Sequence, residues 1–414
     1  MGETADLAIV GGGTVGGWCS VFAREDGAGR VVVLERGTVG CGASSRAARI
    51  VRAQGGTRTA VELARFSIDF YEGQAERLGV DSGFVRRGYL ILAVTPEERE
   101  AAQVRIEMQR AAGLEVEWVE PEDAVRLNPT LAAEGYLGAT YADVDGAIDP
   151  PRNVLAYRLA MERAGVALRE RTPVTGVRVE AGPRGPRVTG VGTPEGPVAA
   201  ERVVMAGGPA QRALARLADV RVPVGPTRHT VAVTAAHPSF ADTSLPMAFE
   251  LGAGLHWRQE EDGLLFGVSN QADPPGEARE VDWDFLTRAR ERLGALVPAA
   301  AGLGLRKAWA ATIDYTADHL PVLGPGLDAE GEPIEGLWIA SAAGHGMMWG
   351  PGVARVAADL ALRGATRVTD VSELGLGRFD ERGRSSLATE PIALPFPIDV
   401  EGDPEPGARR RHLV

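Results

Sequence analysis

Three groups of residues have types and spacings suited to chemistry. Gly11, Gly13 and Gly16 stand in a G-x-G-x-x-G spacing, with Thr14 and Val15 inside the same turn. The first glycine permits a tight turn, the second lets backbone N–H groups approach a pyrophosphate, and the third lets the following helix lie close to the preceding strand. Glu35 closes the next apolar run, where a carboxylate can accept hydrogen bonds from an adenosine ribose; Arg36 follows, so a phosphorylated ribose stays open. Arg46, Arg49 and Arg52 recur at spacing three in a stretch of small residues, 40–57, and would share one face of a helix. A solvated basic face is the ordinary reading of such a run, but loops just after the ribose-binding strand are where nucleotide sites are built. Finally, Gly344-His345-Gly346 precedes a helical stretch over 352–362, and a helix N-terminus stabilises negative charge. A turn histidine with satisfied hydrogen bonds is the alternative for His345.

The elements around these residues decide between the readings. With 53 glycines in 414 residues, the glycine offsets arise by chance about once in such a chain, so spacing alone carries little. A buried strand over 7–10, a helix after it and a second strand over 31–34 ending at Glu35 make the stretch a dinucleotide-binding entry rather than a glycine-rich turn. Further along, helices are expected over 59–78, 96–112 and 154–165, the second opening on a Thr95-Pro96-Glu97-Glu98 cap. Strands are expected over 88–93, 174–179, 187–191, 230–234, 255–259 and 264–269, with a helix over 282–296. A further strand, 201–208, ends in the pair Gly207-Gly208. His229, His256 and Trp257 could line a pocket, but a lone His or Trp on a strand is more often core or surface, so no catalysis is assigned to them.

Composition bounds the partners. The length suits two connected domains. A net charge of −12 argues against nucleic acid and against an anionic membrane surface; the one basic run, Arg409 to Arg411, is in the tail. Cys19 and Cys41 are too few for a metal knuckle or a disulfide framework, so no metal is expected and a reducing cytoplasm fits. The first residues lack the basic region of a signal peptide, and no apolar run reaches transmembrane length.

The phrases GASSRAARIVRAQGG (42–56), GFVRRGYLILAVTPEE (83–98), ERVVMAGG (201–208) and KAWAATIDYTADHLPVLGPG with GLWIASAAGHGMMWGPG (307–352) resemble the FAD-dependent amine oxidoreductases. These form the part of the D-amino-acid oxidase superfamily that includes monomeric sarcosine oxidase, the sarcosine oxidase beta subunit and glycine oxidase. The resemblance implies an α/β fold, α+β overall: a Rossmann-type FAD-binding domain made of 1–85, 146–225 and 312–380, and a discontinuous antiparallel-sheet substrate domain made of 86–145 and 226–311; the polar, Pro/Gly-rich stretch 381–414 reads as an irregular or disordered tail. It implies that Arg52 pairs with a substrate carboxylate, that Arg49 sits over the flavin ring, that Val174 offers a backbone contact to the adenine, and that Gly207 closes around the adenylate half. By the same resemblance Ser44 and Ser45 belong to the flavin-contacting segment, and Gly344, His345, Gly346 and Met347 to the carboxy-terminal flavin motif.

Departures from the family pattern shape the expected chemistry. Ala311 stands where monomeric sarcosine oxidase carries its flavin-linked cysteine, which implies noncovalent FAD. Leu265 and Ser269 replace a lysine and a histidine near the reactive face, and Met348 replaces a second carboxylate partner. The expected reaction is hydride removal from the carbon next to the amine nitrogen of an amino acid or an N-substituted or cyclic amino acid, giving an imine, with oxygen as acceptor. Two alternatives stay open: an electron-relay subunit of a multi-subunit dehydrogenase, which hands electrons to a partner subunit, and a nicotinamide-only dehydrogenase.

Overall fold

Short apolar runs rich in β-branched residues become the central strands of the first sheet. In the computed structural model, which describes residues 3–270, 273, 276–277 and 280–387, Leu7–Val10 and Val31–Leu34 are buried along their whole length. They pair in parallel from Leu7↔Val31 to Val10↔Leu34, and the helix Thr14–Glu25 connects them. Ala167–Arg169 lies outside Val31–Leu34, Val203–Met205 lies on the other side of Leu7–Val10, and Pro333–Ser341 lies beyond that, all in parallel. The antiparallel strands Gly176–Gly182, Gly185–Thr193 and Gly196–Ala200, with Glu3–Ala5 beside the last of them and Val322–Leu327 against Pro333–Ser341, extend this sheet to ten strands. The helices Arg58–Leu78, Pro150–Arg163 and Gly350–Arg363 pack around Thr14–Glu25. At their centre the Trp18 ring meets Phe70 edge-on at 4.8 Å, and its indole N–H donates to Asn153 Oδ1 at 3.2 Å.

A second sheet of eight strands runs in the order Leu305–Tyr315, Gly225–Thr234, Gly263–Val268, Leu255–Glu260, Met247–Glu250, Tyr89–Ala93, Gly138–Ala142 and Glu117–Val119. The sheet is antiparallel, as expected, except at one place: Met247–Glu250 runs parallel to Tyr89–Ala93. These two strands come from distant pieces of the chain, and no hairpin between them dictates an antiparallel sense. The two faces are told apart by alternation. Leu255 and Trp257 join Phe285, Leu286 and Leu293 of the helix Trp283–Leu296 in one apolar core, while His256 points to the opposite face, toward the first sheet. The helix Pro96–Ala111 starts at the expected cap, with both reciprocal bonds between Thr95 and Glu98 present.

A small three-stranded sheet, Ile50–Val51, Gly146–Ala147 and Val85–Arg86, ties the two large ones together. Near the end of the described chain the Arg378 guanidinium pairs with the buried Asp318 carboxylate at 2.7 Å, and Ser385 also hydrogen-bonds Asp318. Phe379 and Ser385 form an isolated bridge, so 381–387 is irregular but docked; the rest of the expected tail, 388–414, lies outside the described residues.

Candidate active site

The glycine turn separates into glycines that serve packing and one that serves an open space. Gly11 has φ +111°, a conformation L side chains rarely adopt, and a Cβ there would overlap the Ala206 carbonyl. A Cβ on Gly16 would overlap the Gly11 carbonyl, so Gly16 lets the helix Thr14–Glu25 approach its strand. Gly13 has an ordinary φ of −83°, and the nearest atom to its missing Cβ is Ser44 Oγ at 3.2 Å. Ser44 Oγ accepts from the backbone N–H of Thr14 at 3.0 Å, which places a polar oxygen at the positive end of the helix. Glu35 is held by both oxygens: Oε2 accepts from the Gly12 N–H at 2.7 Å and Oε1 from the Gly37 N–H at 2.8 Å. Gly11, Gly13, Thr14, Val15, Glu35, Arg36 and Ser44 line one end of a long cleft, joined there by Gly207.

The arginine segment departs from expectation. It is not helical: Arg49 has φ +70°, and Ile50–Val51 is drawn into a strand by its pairing with Gly146–Ala147. Arg46, Arg49 and Arg52 still reach the cleft wall, each from its own backbone conformation rather than from a shared helical face. Arg46 donates to the Gly42 carbonyl at 3.1 Å, and Arg49 pairs with Glu260 at 3.1 Å. Arg52 is 6% exposed and donates to the Gln54 carbonyl.

The far end of the cleft is closed by the second sheet and by the turn 341–348. His229 Nε2 and His256 Nε2 are 3.0 Å apart with the rings stacked at 16°, His229 Nδ1 is 2.8 Å from Ser269 Oγ, and the Tyr315 hydroxyl hydrogen-bonds the same serine. All four residues line the cleft. A side chain on Gly267 would collide with both imidazoles, so this glycine makes room for the pair. Burial pushes the His229 imidazole down to about 4, and burial together with the charges of His229 and Arg258 holds His256 well below the usual histidine range. Two uncharged imidazoles in Nε2 contact share one proton between them. His345 Nδ1 lies 2.8 Å from the Ala343 carbonyl, which only an N–H can satisfy, leaving Nε2 as an acceptor. Burial first, and the Arg52 charge second, push His345 down to about 3. Asp314 accepts from Ser341 Oγ at 2.5 Å and from the Gly344 N–H at 3.3 Å, and so fastens this turn to the sheet. The Tyr71 hydroxyl donates to the Met347 carbonyl at 3.0 Å.

Gly344, His345, Gly346, Met347 and Met348 lie on the cleft wall, as do Ala311 and Ser269. Gly16, Ser45 and Val174 do not: Gly16 packs helix on strand, Ser45 N–H bonds the Gly40 carbonyl at 3.2 Å, and Val174 packs against the core of the first sheet. Leu265 is also off the wall, buried against Val231 and Val233. Sequence reasoning left His229 and His256 without a role; the available signal was alternation, which puts His256 on the face opposite Trp257.

The cleft encloses about 1980 Å³ free of protein atoms, its solvent-open mouth included, and passes from the glycine turn and Glu35 at one end to Arg52 and the three histidines at the other. Backbone amides, a carboxylate placed for a ribose, and a far end of neutral imidazoles beside the Arg52 guanidinium suit an elongated dinucleotide with its reactive ring at the second end, which defines a dinucleotide-dependent oxidoreductase. The chain belongs to the FAD-dependent oxidoreductase family, whose model matches residues 6–360, so it is a flavoenzyme using FAD and the nicotinamide-only alternative falls away. It is 30% identical to glycine oxidase of Geobacillus kaustophilus over 376 residues, covering 88% of this chain and 95% of that one. It is 28% identical to the mitochondrial dimethylglycine dehydrogenase of Rattus norvegicus over 91% of this chain, but spans only 45% of that relative's length. Among solved structures, the Geobacillus kaustophilus glycine oxidase superposes with a TM-score of 0.76 at 28% identity over 91% of this chain and all of the other. L-proline dehydrogenase from P. horikoshii superposes at 0.81 and 24% identity over 93% of this chain and 100% of that one, a likeness of fold. Among the described residues no helix is long and apolar enough to cross a membrane, and no group of three or more His, Cys, Asp or Glu could hold a metal ion.

Proposed function

We propose that this enzyme removes hydride from the carbon next to the nitrogen of an amino acid, or of an N-substituted or cyclic amino acid, giving an imine, with oxygen as acceptor. The observation that carries the reading is Arg52, a buried guanidinium on the cleft wall at the same end as uncharged imidazoles. Bound FAD supplies the two-electron acceptor. Gly13 would offer its backbone N–H to the diphosphate beside the positive end of the helix, Glu35 would take the ribose, and Gly207 would line the adenylate half. Ser44 would flank the flavin, and Gly344 to Met347 its pyrimidine end. Arg52 holds the substrate carboxylate through paired charged hydrogen bonds. The His229–His256 pair, kept neutral by burial, puts no positive charge beside the amine and so favours its uncharged form, whose lone pair assists C–H cleavage. The segments 1–85, 146–225 and 312–380 form the cofactor domain in this reading, with 86–145 and 226–311 over the substrate. Ala311 leaves FAD noncovalent, and Cys19 and Cys41, both free thiols, accord with a reducing cytoplasm.

One observation favours a second reading, a dehydrogenase passing electrons to a partner subunit. With Leu265 where the family carries a lysine, Arg49 is the remaining cation to assist oxygen beside the flavin ring, and its charge is offset by Glu260 at 3.1 Å. The test of the main reading compares N-methyl or cyclic amino acids with matching amines lacking the carboxylate. The wild type prefers the acids, and Arg52→Met lowers kcat/KM for the acids alone by about ten- to more than a hundredfold, the value of a hydrogen bond to a charged group, roughly 1.5–3 kcal/mol. Equal loss on both substrate types removes Arg52 from this role, and failure of every such amine to bleach the flavin rejects the reaction class.

A further inference from the structure

Asp145 is fully buried yet lies off the cleft wall. It immediately precedes the strand Gly146–Ala147, whose register Ile50↔Ala147 and Val51↔Gly146 sets Arg52 opposite Asp145 at the next ladder position. The two carboxylate oxygens accept from the groups that shape the turn after Arg52: Oδ1 from the Ala53 N–H at 2.6 Å and Oδ2 from Gln54 Nε2 at 2.9 Å. Gln54 is 2% exposed and fully engaged. Its Nε2 also donates to the Tyr89 carbonyl at 2.9 Å, its Oε1 accepts from Thr140 Oγ1 at 2.5 Å, and its backbone carbonyl accepts from the Arg52 guanidinium. The Asp145 main chain is anchored in turn, its carbonyl accepting from the N–H groups of Arg87 at 3.0 Å and Gly88 at 2.9 Å. A carboxylate taken out of water is costly, and a fold retains one where it does something a neutral side chain cannot. Both groups aimed at Asp145 are donors, so only an acceptor on both oxygens satisfies them.

We propose that Asp145 is a positioning residue for Arg52: it locks the 52–54 turn so that the guanidinium meets a substrate carboxylate in one orientation. This rests on the carboxylate-binding reading of Arg52. Around Asp145 stand Arg52, Ala53 and Gln54 of the turn, Thr140 and Tyr89 of the second sheet, and Asp143 on its own loop. Burial pushes the Asp145 carboxyl up to about 7, against the pull of the two donors and the Arg52 charge. Below that pH the acid form carries a proton on one oxygen and loses an acceptor, so the turn loosens; above it both bonds are intact.

Acetate, a bare carboxylate, is the probe, titrated into the holoenzyme by calorimetry alongside turnover. Asp145→Asn, which turns one oxygen into a donor facing a donor, weakens acetate about tenfold and has less than about a twofold effect when added to Arg52→Met, because the two act through one group. KM for carboxylated substrates rises by the same factor while carboxylate-free amines are unaffected. The wild type loses acetate affinity below about pH 7, where the carboxyl takes its proton, and Asp145→Asn is flat there. Should Asp145→Asn fail to fold, Thr140→Val, close in shape and removing only the hydroxyl that orients Gln54, gives a smaller weakening with the same dependence on Arg52. Additive effects in the Arg52→Met background, or equal loss on carboxylate-free amines, overturn the proposal. If Arg52→Met itself leaves acetate affinity unchanged, the carboxylate reading of Arg52 fails first; if Arg52→Met weakens acetate and neither Asp145→Asn nor Thr140→Val does, the positioning role alone fails.

Discussion

Alanine at Gly13 and alanine at Gly11 separate cofactor binding from folding within one turn. Gly13 already has a φ open to any L residue, and its new methyl meets only Ser44 Oγ at 3.2 Å, a hydroxyl that can give by a few tenths of an ångström. Replacing glycine at a compatible φ/ψ also narrows the unfolded ensemble by about 0.4–1 kcal/mol, so apoprotein stability in Gly13→Ala stays within about 1 kcal/mol of wild type. On the cleft wall, the same methyl would come between the helix N-terminus and a bound diphosphate. Loss of one hydrogen bond to a charged oxygen costs about 1.5–3 kcal/mol, roughly ten- to more than a hundredfold in the Kd for FAD. Gly11→Ala behaves in the opposite way. A side chain at positive φ costs roughly 1–2 kcal/mol, and the overlap with the Ala206 carbonyl adds an overpacking cost of about 1–3 kcal/mol. The apoprotein itself therefore loses about 2–5 kcal/mol. The assay is thermal unfolding of both apoproteins, followed by FAD titration through quenching of flavin fluorescence. At a fixed FAD concentration wild type gains RT ln(1 + [L]/Kd), and Gly13→Ala gains visibly less. An apo Gly13→Ala as unstable as Gly11→Ala, or one with wild-type FAD affinity, would refute the division of roles.

Two more outcomes follow from the far end of the cleft. His229 and His345 are neutral in the folded chain down to about 4 and about 3, whereas the unfolded chain protonates them near 6.5, so the unfolded state binds more protons in that interval and stability falls as pH drops from 6.5 toward 4. His229→Asn flattens the slope in urea melts taken across this window, and an unchanged slope would mean that the imidazole is not neutral. With Ala311 at the linkage position, acid precipitation of the holoenzyme leaves the yellow colour in the supernatant, and a yellow pellet rejects noncovalent FAD.

Much of this architecture is legible where the physics is local. The strand, turn and helix over 7–25 follow from a short apolar run, glycine offsets and helical periodicity, and the Thr95 cap follows from side chains that bond their own backbone. Illegible parts depend on partners far along the chain. Nothing within 40–57 says that Ile50–Val51 will be pulled into a strand by Gly146–Ala147, and that pairing is what breaks the helix on which the arginines were expected to share a face. The imidazole pair is hidden for the same reason: His229 and His256 sit on non-adjacent strands, and their contact needs the register of an intervening strand with glycine at 267. The parallel pairing of Met247–Glu250 with Tyr89–Ala93 is likewise a property of the assembled sheet.

The position of Pro333–Ser341 inside the first sheet, between Val203–Met205 and Gly185–Thr193, governs how the enzyme can be made. A chain emerging from the ribosome exposes the glycine turn among its first residues, but the sheet that supports the turn has a gap in its middle until residue 341 has left the exit tunnel. Until then the apolar edges of two half-sheets face water side by side, an invitation to pair with another nascent chain rather than with a strand not yet translated. FAD capture therefore waits until Pro333–Ser341 has been translated and seated in the sheet, and the yield of active enzyme in a cell depends on how long the unfinished chain is shielded as much as on the supply of flavin.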